Sequence, residues 1–407
     1  MSTPPALTPP ALTPAVADLV AGTVAERERD LVALRRELHA HPELSWAEEQ
    51  TTERLLAAVG SLGWRTRLLP RSGFVADLGE EGPLVALRTD LDALPVQEVS
   101  SEPFASTVPG VAHACGHDVH MTSVVGAAAA LSAVHAAGLL PGRVRLLFQP
   151  AEEVMPGGAL AMVEEGHLDR VERIFALHCD PAVEVGRVAL TPGPLTSAAD
   201  MVEIRLEGVG GHTSRPHLTG DLTFALAKVT TELPAILSRR LDPRAGVSVV
   251  WGVLRAGAAP NVIPRDGLLA GTVRVLDRDA WAECEDFVRR LVPEIVRPYG
   301  VTAHLEYHRG VPPVVNDPAA HAALVAAATA LLGPGHADKA SQSLGGEDFG
   351  WYTDRVPGAM FRLGTRAPGG RVYDLHQGDL HVDEGAITVG ARMLAGAAVA
   401  GLASLGG

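Results

Sequence analysis

The chain has 407 residues, 47% hydrophobic and 20% charged, enough for two packed cores of ordinary size. Its formal net charge is −14 and no long block of Lys or Arg occurs, which excludes a phosphate-tracking surface, so nucleic acid is not an expected partner. Three cysteines cannot form a disulfide framework, and no charged start leads into an apolar run and no stretch reaches about 18 unbroken apolar residues, so no membrane partner is expected and a cytoplasmic location is the default.

Residues 1–14 repeat PPALT around prolines and read as a disordered arm. From Ala15 to Leu38 the apolar residues Leu19, Val20, Leu31, Leu34 and Leu38 recur at helical spacing, and His41-Pro42 ends the pattern because proline disfavours helix in the residue before it. A second helix is predicted from Trp46 to Leu62. Strands FVADL (74–78) and LVALRTD (84–90) follow, then an Ala-rich helix from Val119 to Ala137 and a strand, RVRLLFQP, at 143–150. This alternation predicts an α/β sheet covered on both faces. Between Thr196 and His308 the order becomes strand (201–208), helix (219–238), strand (247–254), strand (267–276), helix (279–297), strand (301–307), the βαββαβ order of the ferredoxin-like plan. After Pro312 the first pattern returns, with helices at 318–332 and 383–402. The expected fold class is therefore α/β: a discontinuous α/β domain with a mixed sheet, 15–195 and 309–407, interrupted by a ferredoxin-like α+β insert at 196–308.

Chemistry-bearing residues concentrate in the discontinuous domain. HACGHDVH, His113 to His120, packs three histidines, a cysteine and an aspartate into eight residues at the start of a helix. Cys115 and His117, two apart on a turning segment, can face one ion, and thiolate plus imidazole suits zinc or another transition metal. Glu152-Glu153 follows the apolar strand LLFQPA, where α/β folds place ligands, so that one carboxylate can bind metal while the other faces an attacking water. His178 ends another apolar strand, Asp90 or Asp92 could hold a ligand histidine from behind, and His376 lies in DLHQGDLHVDE. Together they offer Cys, His, Glu, His and His to a one- or two-metal hydrolytic centre. Two other readings stay open: an amidase with Cys115 as nucleophile, and a non-catalytic metabolite-binding protein.

From Leu31 to Ala395 the sequence resembles the M20 metallopeptidases, in their amidohydrolase branch with hippurate hydrolase and N-acyl- and indoleacetyl-amino-acid hydrolases. The resemblance rests on LRRELHAHPELSWAE, RTDLDALP, HACGHDVH, FQPAEE, GGHTSRPH, APNVIP, GTVR, GGEDFGWY and LHQGDLHVDE, in that order. It implies Cys115, His117, Glu153, His178 and His376 as ligands of a divalent metal, two ions per subunit, of zinc, manganese or cobalt. Glu152 then matches the general base and Asp92 the carboxylate that orients a ligand histidine. His212, Asn261 and Arg274 resemble substrate-clamping residues on an insert that resembles a dimerisation lid, His212 reaching the partner subunit's cleft. The implied substrate is a small N-acyl amino acid and the implied assembly a homodimer. Where many members carry Gly-Ala-Met-Pro-His, this chain has GGHTSRPH, so Ser214 and Arg215 bring in polarity and a cation that bear on substrate preference.

Overall fold

The computed structural model describes residues 12–406. The first eleven residues of the predicted arm lie outside the described residues. The last three belong to the fold: Leu12 is buried, the Thr13 hydroxyl accepts a hydrogen bond from the Val16 N–H, and Pro14 opens the first helix, where a missing N–H is harmless.

In chain order the elements are α1 (Pro14–Ala40), α2 (Glu49–Gly60), β1 (Arg65–Leu68), β2 (Phe74–Leu78), β3 (Leu84–Asp90), α3 (His117–Ala136), β4 (Arg143–Gln149), α4 (Gly158–Glu164), β5 (Val171–Glu184), β6 (Val188–Leu190) and β7 (Gly193–Pro194). There follow β8 (Ala198–Gly208), β9 (Gly211–His212), α5 (Leu222–Arg240), β10 (Ser248–Ala256), β11 (Val262–Ile263), β12 (Asp266–Val275), α6 (Arg278–Val296) and β13 (Val301–Val311). The chain continues through β14 (Val315–Asn316), α7 (Pro318–Leu331), β15 (Ala337–Lys339), α8 (Gly350–Thr353), β16 (Gly358–Arg366) and α9 (Gly385–Ala403). The helix expected from Trp46 begins only at Glu49, because Trp46 has φ 67, a left-handed conformation that no α-helix accommodates.

The described residues group into two compact units. The larger takes the chain up to Leu195, then Val315–Ser341 and the residues from Trp351 on; the smaller is Thr196–Val314 with Gln342–Gly350. The larger unit holds an eight-stranded mixed sheet in the order β1-β2-β4-β3-β5-β16-β6-β15, with β4, β3, β5 and β16 mutually parallel at its centre. Every residue of β3 is buried, as expected of a central parallel strand covered on both faces. By length and composition α3 and α9 could each cross a bilayer, but 78% and 89% of their apolar windows are buried inside this fold. They pack at close range: a Cβ on Gly126 of α3 would come within 2.7 Å of the Ala391 Cβ on α9.

The smaller unit is a four-stranded antiparallel sheet in the order β10-β12-β8-β13, with α5 and α6 packed on it. Along β8, buried Val202, Ile204 and Leu206 alternate with Met201, Arg205 and Glu207 at the surface, the pattern of a sheet with one covered face. Asp200 of β8 is buried and accepts hydrogen bonds from Trp281 Nε1 (2.9 Å), the Tyr307 hydroxyl (2.7 Å) and the Gly310 N–H (2.9 Å), which pins α6 and β13 to the strand.

Candidate metal centre

The carboxyl ends of the central parallel strands of the larger unit, where α/β sheets leave room for ligands, carry the predicted cluster. β3 ends in Arg88, Thr89 and Asp90, all buried. Arg88 donates to Gln149 Oε1 on β4 (2.9 Å) and to Asp90 Oδ2 (2.7 Å), while Asp90 Oδ1 accepts from His120 Nδ1 on α3 (2.7 Å). His120 Nε2 in turn accepts the Cys179 N–H of β5 (2.9 Å), so three strands and a helix are tied by one polar chain. Burial works against the Asp90 charge, but His117, His120 and Arg88 hold the carboxyl well below the usual range.

The start of α3 is set by Gly116, whose φ of 83 no β-carbon residue adopts easily and whose added Cβ would meet Cys179 Sγ at 2.9 Å. That turn separates Cys115 from His117. Cys115 Sγ lies 3.5 Å from His178 Nε2, and His178 Nδ1 donates to the Cys179 carbonyl (2.8 Å), which leaves Nε2 with its lone pair. His117 Nδ1 likewise donates to the Asp92 carbonyl (2.8 Å), and its Nε2 faces Glu152 Oε2 at 3.9 Å and Glu153 Oε1 at 3.7 Å. His376, at φ 62 in the loop after β16, is anchored by its N–H on the Ala114 carbonyl (2.8 Å) and brings Nε2 to 3.5 Å from Glu153 Oε1.

Two sets of donor atoms result, each within 4.8 Å of one another: Cys115, Glu153 and His376, and His117, Glu152 and Glu153. Glu153 belongs to both. A third such set, Asp90, His117 and His120, is already joined by the hydrogen bonds above. Among the described residues, His117 Nε2 and Glu153 Oε1 are buried with no hydrogen-bond partner, a costly arrangement unless a cation sits between them. The field agrees. Burial disfavours charge on His117, yet Asp90 and Asp92 push its pKa well above the histidine range, so this spot favours positive charge. Burial pushes His178 down, leaving it neutral as a ligand imidazole must be, and raises the Cys115 thiol and the Glu153 carboxyl. A divalent ion thus fits the donor set in charge and in chemistry.

The structure brings Cys115, His117, Glu152, Glu153, His178 and His376 together and puts Asp92 behind them. The Asp92 carboxylate accepts the N–H groups of Glu152 (3.0 Å) and Glu153 (2.9 Å) and the Ser45 hydroxyl (2.6 Å); it is the Asp92 carbonyl that stands closest to His117. Ser45 gave no sequence signal, since a serine 47 positions away carries no metal-ligand pattern. His120, whose partners are Asp90 and the Cys179 amide, was countable in the motif but not assignable. Glu347 and Asp348, expected in the second catalytic segment, fall in the smaller unit, because Gln342–Gly350 returns to it. Within that unit His212 is exposed on the β9–β11 ribbon opposite Val262, its Nδ1 accepting the Ser214 N–H (3.1 Å), and the Asn261 carbonyl accepts the Thr213 N–H (3.2 Å). Arg274 stands on β12 between Ser248 and Ala199.

Comparison with known proteins gives three kinds of match. The profile of peptidase family M20/M25/M40 matches residues 86–400. An N-acetylcysteine deacetylase of Bacillus subtilis is 36% identical over 374 residues, 91% of this chain and 96% of that protein. A Rhodococcus jostii protein named "Putative glutamate–cysteine ligase 2-3" is 48% identical over 369 residues, 90% of this chain, but the chain spans only 46% of that protein's length. Among solved structures, the Bacillus subtilis YXEP protein, described as a dinuclear metal binding peptidase from the M20 family, superposes with a TM-score of 0.80 at 33% identity, covering 93% of this chain and 99% of the other.

Proposed function

The chain belongs to peptidase family M20/M25/M40 and is a metal-dependent amidohydrolase, and we propose that it cleaves the linear amide of an N-acylated amino acid with Glu152 as general base. The observation that carries this reading is the unequal sharing of the acidic pair. Glu153 stands in both donor sets and near His376, as a ligand common to two ions would, while Glu152 stands in the His117 set and not in the Cys115 set. Two divalent ions, of zinc, manganese or cobalt, held by Cys115, His117, Glu153, His178 and His376, would polarise the amide carbonyl and acidify a water. Glu152 takes the proton of the attacking water on its carboxylate and returns it to the departing amine nitrogen. Asp92, by gripping the amides of residues 152 and 153, keeps that carboxylate in place. In the smaller unit we assign His212 to the developing oxyanion and Asn261 and Arg274 to the substrate carboxylate, which a guanidinium can bind through two parallel hydrogen bonds. From its strand order β10-β12-β8-β13 we read this unit as a ferredoxin-like lid through which a homodimer forms.

N-acylcysteines lead the substrate list, since one relative covered over 96% of its length is named for N-acetylcysteine. The test is amine release from N-acetyl, N-benzoyl and indoleacetyl amino acids, N-acetylcysteine and γ-glutamylcysteine included, by stripped protein reloaded with manganese, zinc or cobalt. No release from any of them, or full activity in EDTA, would overturn the reading.

A further inference from the structure

Residues 151–153 hold a conformation that their own sequence does not favour. Ala151 has φ 54, in the left-handed region, which is unfavourable for a residue bearing a Cβ and persists only where the surroundings impose it. Three consecutive amides are tied there. Ala151 N–H donates to Glu48 Oε1 at 2.8 Å, and the next two donate to the two oxygens of Asp92. Glu48 is wholly buried, and its other oxygen accepts the Ser72 hydroxyl at 2.6 Å. The bend decides where the acids point. In an extended chain neighbouring side chains leave on opposite faces, whereas here both carboxylates come within 3.9 Å of His117 Nε2. Successive amides curled around an anion make this kind of concavity, and Asp92 fills it. Asp92 grips only the second and third amides, so the N–H of the left-handed residue that begins the turn is held by Glu48, while its carbonyl accepts the Gly158 N–H at 2.8 Å.

We propose that Glu48 is a positioning residue of the reaction, which fixes the left-handed turn at Ala151 and so aims the Glu152 carboxylate. The proposal rests on the reading of Glu152 as the base. Glu48 acts at a distance from the reacting atoms, through one backbone amide, and its function needs an acceptor at that point, not a negative charge.

The test compares E48A, E48D, E48Q and E152Q for kcat, KM, metal stoichiometry by mass spectrometry and thermal melting. E48A should lower kcat by about 10- to 100-fold, the scale of a small misplacement of a catalytic group, with KM within about twofold and full metal. E48Q keeps an oxygen for the Ala151 N–H and can donate its amide to Ser72, so it should recover the rate to within about threefold. E48D withdraws the acceptor by one methylene and should be intermediate; it carries the test if E48A does not fold. Unchanged kcat in folded E48A or E48D, loss of metal in either, or an E48Q as slow as E48A would each overturn the proposal. If E152Q itself turns over normally, the reading of the base falls and this proposal with it; a slow E152Q beside a normal E48A fells the proposal alone.

Discussion

Asp200 in the smaller unit and His117 in the larger are buried to the same depth, each 1% exposed, and are treated in opposite ways. Asp200 receives three donors, one from α6 and two from β13, and burial with this full complement makes it a structural tie. His117 has one nitrogen fixed on a carbonyl and the other, buried, facing two carboxylates without a partner. Depth alone therefore does not separate a structural polar group from a functional one. The open valence beside two carboxylates does, because an unpaired imidazole nitrogen and carboxylate oxygens converging on one point are what a cation would satisfy.

The contrast can be broken experimentally at four points. E152Q should show the largest effect, a fall in kcat of about 10²- to 10⁴-fold with metal content and melting temperature kept, since only the proton acceptor is lost; a rate near that of the wild type would move the role to Glu153. C115A should lose metal, measured as stoichiometry after dialysis, and with it the rise in melting temperature that added metal gives the wild type. Full occupancy in C115A would remove the thiolate from the ligand set. D200N should do the reverse: destabilise by about 2–3 kcal/mol in urea, because an amide nitrogen now opposes donors, while metal stoichiometry stays that of the wild type. Lost metal in D200N would show that the two kinds of site are not separable.

The smallest effect is one of pH. His39, buried, donates Nδ1–H to Asp118 (2.8 Å) and Nε2–H to Glu98 (3.2 Å); burial opposes its charge, but Asp118 and Glu98 raise its pKa to about 9. A folded-state value above the unfolded one of about 6.5 means that its contribution is complete below pH 6.5 and is lost as pH rises through 9. Wild-type stability should thus fall by about 1–3 kcal/mol between pH 6.5 and 9.5 relative to H39Q. Equal slopes for the two proteins in urea melts would show that His39 is not charged in the fold.

Much of this was legible in the sequence where the signal is local. The unbroken apolar run of β3, the Ala-rich α3 and the alternation along β8 are short-range patterns, and the residues at 115, 117, 152 and 153 are of metal-binding types beside strand or helix ends, whereas His178, expected at a strand end, lies within β5 and His376 lies in the loop between β16 and α9. What was not legible is what closes over distance. Glu48 meets Ala151 across 103 positions, and no pattern within a window of sequence can announce it. The short strands β6 and β15, at one margin of the sheet, have three residues each, too few to show a period, and the return of Gln342–Gly350 to the smaller unit follows from contacts alone. Trp46 misled for a related reason: the second helix was expected to begin at it, while its backbone is turned left-handed and its ring lies under the Arg71 guanidinium at 4.4 Å.

The division of the chain also sets a timetable. The smaller unit is nearly contiguous, whereas the larger needs α9, whose residues follow Leu195 by roughly two hundred positions, to cover α3 and the sheet. At a synthesis rate of about 5–20 residues per second, strands β2 to β5 wait on the order of 10–60 s between their own emergence and that of the helix that buries them. During that interval the smaller unit can already be folding, and the apolar strands that will carry the metal ligands stand uncovered. The unit with the chemistry is therefore the one whose apolar strands stay uncovered longer during synthesis, and a slow stretch of translation after Gly350 would lengthen that exposure without delaying the smaller unit.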